Sequence, residues 1–210
     1  MGAQKLLKVI YSTLVLLLVS GPLFSQNWPF ELWHEGKIVL VERDTLKGLV
    51  KYDFQQDLVQ FTYQDKIAEV YTARKVLSFE IFDESVHQYR HFFALPYSNA
   101  SGYKSPVFFE LLEAGKFTLL SREVLEYKTY SSPYNIGSAS RLVLVYKYFF
   151  LRENGQIEPF TGNKNDLIAM MGKNGKDVQK FMKANRLRLE EKSDFARIVA
   201  YYNSLFETGS

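Results

Sequence analysis

The chain has 210 residues, with 26 Lys and Arg against 23 Asp and Glu, three His and no Cys. Apolar residues make up 47% and charged residues 23%, which is enough to bury a core and excludes a largely disordered chain. The missing Cys excludes disulfides, thiol nucleophiles, thiolate metal sites and lipid attachment through an N-terminal Cys.

Lys5 and Lys8 are the only charges before Glu31. An apolar run from Val9 to Val19 follows, then the break Ser20-Gly21-Pro22 and the small residue Ser25. A positive start, an apolar stretch too short to span a bilayer comfortably and a small residue at the cut read as a signal peptide over 1–25, cleaved after Ser25. Its removal leaves 24 basic against 23 acidic residues. That balance, together with export, argues against a nucleic-acid partner. No later stretch is long and apolar enough for a transmembrane helix.

From about residue 37 to 160 the pattern is that of short strands. Lys37 to Glu42 and Leu46 to Tyr52 flank Arg43-Asp44-Thr45 and read as a hairpin, with a bulge expected at Gly48. Leu58 to Tyr63 alternates. Val76 to Phe82 turns Leu77, Phe79 and Ile81 to one face. His87 to Leu95 turns Tyr89, His91, Phe93 and Leu95 to one face, with Gln88 and Arg90 on the other. Val107 to Leu112, Phe117 to Leu120 and Val124 to Tyr130 continue the series. Arg141 to Leu151 is apolar on both faces and predicts a central strand covered on both sides. Asn154-Gly155 then gives a tight turn into Gln156 to Phe160. Short strands separated by Gly, Pro, Asn and Asp predict an antiparallel sandwich or a barrel-like sheet.

After Thr161 the period becomes helical. Asn165 or Asp166 is placed to cap a short helix that ends at Gly172. Asp177 to Leu189 carries Val178, Phe181 and Met182 at helical spacing. Ser193 reads as an N-cap for a last helix with the stripe Phe195, Ile198, Val199, Tyr202, Leu205 and Phe206. Such a stripe is expected to pack on the β-layer. The organisation is therefore a signal over 1–25, an antiparallel β domain over 26–160 and a helical segment over 161–210 packed on it, a mainly β, α+β fold.

Two loops, 96–106 and 131–140, are long for all-β connections and hold Tyr97, Tyr103 and Tyr134 as candidate recognition residues. Residues 162–192 carry eight basic and four acidic groups. Within them Lys176, Lys180 and Lys183 fall on one side of a helix, suited to an acidic partner or to anionic headgroups.

Several of these segments, taken in order, carry a resemblance. They are Phe24-Ser25-Gln26, Gly48 to Tyr52, Tyr71 to Phe79, Phe108 to Lys116, Tyr146 to Phe150 and Tyr201-Tyr202-Asn203. As a set they resemble a group of uncharacterised secreted or periplasmic proteins of Bacteroidetes. The resemblance implies an exported envelope protein and carries no catalytic residue with it.

Motifs for chemistry are sparse. His87 and His91 have the spacing that on a helix would share a metal, but on a strand their side chains stand roughly 13 Å apart. Asp83, Glu84 and His87 could form at most a loop cation site. There is no G-x-S-x-G, and Gly137-Ser138-Ala139 is a plain loop. Gly172-Lys173-Asn174-Gly175-Lys176 lacks the spacing and the preceding strand of a phosphate loop and reads as an interhelix turn. No catalytic residue, metal or cofactor is expected. The expected function is non-enzymatic binding of an envelope protein, glycan or anionic headgroup by an exported protein, whether periplasmic, outer-membrane-associated or secreted. The alternative is a secreted hydrolase with a pocket under the 96–106 and 131–140 loops. Mass spectrometry of the mature protein should find its N-terminus at Gln26; an intact Met1 contradicts the signal-peptide reading.

Overall fold

The computed structural model describes residues 32–64, 66–98, 102–131 and 138–207. Ten antiparallel strands form one sheet in the order β10-β9-β8-β7-β6-β5-β1-β2-β3-β4. They are β1 (His34–Leu40), β2 (Thr45–Asp53), β3 (Leu58–Thr62), β4 (Glu69–Thr72) and β5 (Val76–Asp83). β6 (Gln88–Tyr97), β7 (Ser105–Glu113), β8 (Thr118–Ser131), β9 (Ser138–Leu151) and β10 (Ile157–Phe160) complete it. Three helices follow: α1 (Lys164–Met170), α2 (Gly175–Ala184) and α3 (Lys192–Glu207), with a short 3-10 turn at Gly172–Asn174. The fold is mainly β with a helical C-terminus.

The sheet is curled. In a flat sheet β2 and β7, with β1, β5 and β6 between them, would lie about 19 Å apart at the usual strand spacing. Instead the Tyr52 ring of β2 meets the Phe108 ring of β7 with centroids 5.7 Å apart. The inner surface holds Ile38, Val50, Tyr52, Val59, Phe79, Phe92 and Phe108, all buried. Phe79 and Phe92 stack there at 4.5 Å. The β2–β3 turn closes the roll. Asp57, with φ 57°, accepts hydrogen bonds from the Tyr52 hydroxyl at 3.0 Å and from the Phe108 N–H at 3.3 Å. Its carboxylate also meets Arg122 at 3.3 Å.

Gly48 is not a bulge. It pairs in regular register with Gly36. A Cβ at Gly36 would overlap the Glu80 carbonyl, and one at Gly48 would stand 2.6 Å from the Thr62 carbonyl. The paired glycines let the neighbouring strands approach closely. The register shift lies instead between Val39 and Leu40 against β5. That shift buries Val76 along with Phe79 and Ile81 and leaves Leu77 exposed, so Leu77 does not share their face.

β7 and β8 pair only where Glu110–Glu113 face Ser121–Leu119. Past Ser121, β8 pairs with β9 alone, and β10 joins β9 only from Tyr148 to Leu151. The two apolar runs read in β8 are thus one strand that leaves the sheet as half of a two-stranded ribbon. β9 is next to the sheet edge rather than central. Both of its faces are covered only near its end, where Phe150 packs under the helices and Phe149 packs with Phe109 and Leu120 on the opposite face.

The helical layer covers the Phe150 face. Phe195, Ile198, Val199 and Tyr202 of α3 are buried with Leu119, Phe150, Leu167, Val178 and Met182. Asn203 fixes the far end of α3. Its amide accepts from the Phe117 N–H at 2.8 Å and donates to the Phe117 carbonyl at 2.9 Å. The start signals differ from those expected. Asn163, not Asn165 or Asp166, caps α1, and Asp166 completes a capping box with it. α3 begins at Lys192, so Ser193 lies inside its first turn. α2 ends at Ala184, and Leu187 is buried beyond it without being helical. Ile198 is fully buried, so Ile198→Ala should cost about 2–5 kcal/mol. Chemical denaturation measures this, and a loss below about 1 kcal/mol contradicts the packing.

Candidate functional site

The start of α3 is tied to the sheet by buried charges. Glu110 on β7 points to the helix-covered face, with its side chain 5% exposed. It accepts from Arg90 Nε at 2.9 Å and Nη2 at 2.8 Å, a two-pronged pairing from the neighbouring β6. It also accepts from Ser121 Oγ at 3.1 Å and from Lys192 Nζ at 2.9 Å. Arg90 Nη2 turns in addition to Glu123 at 2.7 Å. Lys192 Nζ lies 5.1 Å from the centre of the Tyr146 ring. Two cations and two carboxylates are therefore matched in a site largely shielded from water.

Burial pushes the Glu110 carboxyl up, but the Arg90 hydrogen bonds and the charges of Arg90 and Lys192 outweigh it and hold it down at about 2. Burial likewise opposes the Arg90 charge, and Glu110 and Glu123 overcome it.

Beside this cluster runs an open groove of about 760 Å³ between β9, the chain leading into α1, and the segment after α2. Leu144 to Tyr148 line it as an unbroken stretch of strand. Tyr146, Tyr148, Phe160 and Phe195 give it an aromatic lining. Lys128, Lys164 and Arg188 bring cations to its lining beside the carboxylate of Glu190. Arg188 is paired with Glu191 at 2.7 Å, and Lys147, whose residue also borders the groove, is paired with Glu126. The Tyr148 hydroxyl is buried and meets no hydrogen-bond partner among the described residues, and burial pushes its phenol up. The site can hold an anionic group beside apolar or aromatic surface.

The residues expected from the sequence fall elsewhere. Tyr97 is part of the second apolar cluster, edge-on to Phe109 at 5.5 Å and to Phe149 at 5.6 Å. It sits at the end of β6 rather than in a loop. Tyr103 is 69% exposed. Tyr134 lies outside the described residues, as do the rest of 132–137 and residues 99–101. Lys176, Lys180 and Lys183 are exposed on α2, with Lys180 bonded to Asp177 at 3.1 Å. The groove cations were missed because they come from β8, α1 and the segment after α2. Only Lys164 and Arg188 lie in the segment flagged by its charge.

His87 is not on the strand face of His91. It occupies the turn before β6 with φ 52°. His91 Nδ1 lies 3.3 Å from Glu80, which also pairs with Lys37 at 2.9 Å. Asp83 accepts from the Ser85 N–H at 3.0 Å. Among the described residues no group of three or more His, Cys, Asp or Glu is placed to hold a metal ion, and no helix is long and apolar enough to cross a membrane.

No family model matches the chain, and neither does any curated protein or solved structure.

The lowered pKa of Glu110 has a pH signature. The carboxyl falls from the ordinary 4.5 to about 2 on folding. Its stabilisation, about 3 kcal/mol, is fully present above pH 4.5 and is lost as pH falls toward 2. In Glu110→Gln the fall in stability between about pH 5 and pH 2 should be shallower than in the parent. Equal slopes in denaturant titrations across that window contradict the assignment.

Proposed function

We propose that this is an exported, non-enzymatic binding protein of the bacterial envelope that holds an anionic partner in the groove between β9 and the helical layer. The observation that carries the reading is the open, aromatic-lined groove with Lys128, Lys164 and Arg188 in its lining. Charge complementarity of this kind steers association and selects partners. The neighbouring interior carboxylates are committed: Glu110 accepts from Arg90, Ser121 and Lys192, and Glu123 from Arg90. That favours holding a ligand over transferring a proton to one. Export rests on the N-terminal pattern of Lys5, Lys8, the Val9–Val19 run and Ser25. Lys176, Lys180 and Lys183 are further exposed basic residues, on α2.

The test uses charge reversal outside the core. Lys128→Glu with Arg188→Glu should leave the melting temperature nearly unchanged, since both residues are exposed and exposed pairs contribute little. Capture of envelope components by the tagged protein should fall at least about tenfold in the variant and weaken steeply with salt. Equal capture by parent and variant, insensitive to salt, contradicts an anionic partner in this groove.

A further inference from the structure

We propose that the open edge of β9 within the groove is a strand-addition site for an extended acidic peptide segment of a partner protein, an inference that rests on the anionic-partner reading above. β9 starts at Ser138, but β10 covers its outer edge only from Tyr148 to Leu151. The Arg152 N–H donates to the Gln156 carbonyl at 2.8 Å across that same edge. Backbone groups alternate sides along a strand, so those of Phe150 and Tyr148 face β10, and those of Tyr146 and Leu144 continue the row. Among the described residues no backbone partner pairs with Tyr146 or Leu144 on that side.

Leu144 to Tyr148 line the groove as consecutive residues, so the groove follows this edge. The chain of β10 leaves after Phe160, and Thr161–Lys164 and Leu187–Glu190 border the groove beside the uncovered stretch. An unpaired row of N–H and C=O groups is a template for an added strand. The aromatic lining receives alternate side chains of that strand, and the cations around it receive carboxylates. A flat layer of headgroups cannot enter the groove to pair with this edge.

The test titrates the protein with a short peptide of alternating Glu and Val. The comparison ligands are the same peptide N-methylated along one edge, polyacrylate, and phosphatidylglycerol vesicles. The unmodified peptide should bind and slow hydrogen exchange at the Leu144 and Tyr146 amides. N-methylation should weaken binding by about tenfold or more, as expected for lost backbone hydrogen bonds. Leu144→Pro removes an N–H that has no partner in the free protein, so it should fold yet bind the peptide about tenfold more weakly. If that variant fails to fold, the methylated peptide and the exchange data still decide. Equal binding of the methylated peptide or of polyacrylate, or binding of vesicles alone, overturns strand addition while leaving an anion-binding groove. Binding of none of the four ligands overturns both readings.

Discussion

A carboxylate inside a sheet needs enough donors to replace water, and Glu110 has them from three directions. Arg90 reaches it from β6, Ser121 from β8 and Lys192 from α3. Losing a charged partner would leave the interior charges unbalanced, and breaking a buried ion pair in this way typically costs about 3–5 kcal/mol. The interaction therefore fixes where α3 begins on the sheet as well as adding to its stability. Directional bonds to Lys192 set the register that the apolar stripe of Phe195, Ile198, Val199 and Tyr202 could otherwise satisfy in neighbouring positions. Asn203 sets the other end of the same helix against the β7–β8 turn.

The groove is a consequence of that docking. α3 brings Phe195 against Tyr148 at 4.7 Å and holds the helical layer over one face of β9. The sheet contributes the other wall by an interruption of its pairing. β7 and β8 separate after Ser121, and β10 is too short to follow β9 along its length. A β10 that followed β9 along its whole length would leave no such uncovered stretch. Lys128, Lys164 and Arg188 then line the groove from three different segments.

The fold was legible where a residue's neighbours are local. Alternation located most of the strands, Asn154-Gly155 located the last hairpin, and the α3 stripe announced a buried helix. Local patterns failed where a distant partner decides. Alternation set Arg90 on the face opposite Tyr89, His91, Phe93 and Leu95 without showing which face is the core, because its acids lie 20 and 33 residues away. With them in place, the face of Arg90 and Phe92 is the one turned to the core. Lys192 counted only as one of eight basic groups in residues 162–192, yet it is bonded to Glu110 across 82 residues of chain. Tyr97 looked like a recognition residue because Pro96 suggested a loop, whereas Pro96 and Tyr97 still pair with β7. The apolar run Leu142 to Val145 suggested a strand covered on both sides, and it proved half-exposed in the ribbon.

A double-mutant cycle between Glu110 and Lys192 tests the central claim most directly. Glu110→Gln, Lys192→Met and the double variant are compared with the parent by chemical denaturation near neutral pH. If the pair locks α3 to the sheet, the two substitutions should couple by roughly 1–3 kcal/mol, with the double variant less impaired than the sum of the single ones. Additivity within about 0.5 kcal/mol would contradict the account, because independent sites behave that way.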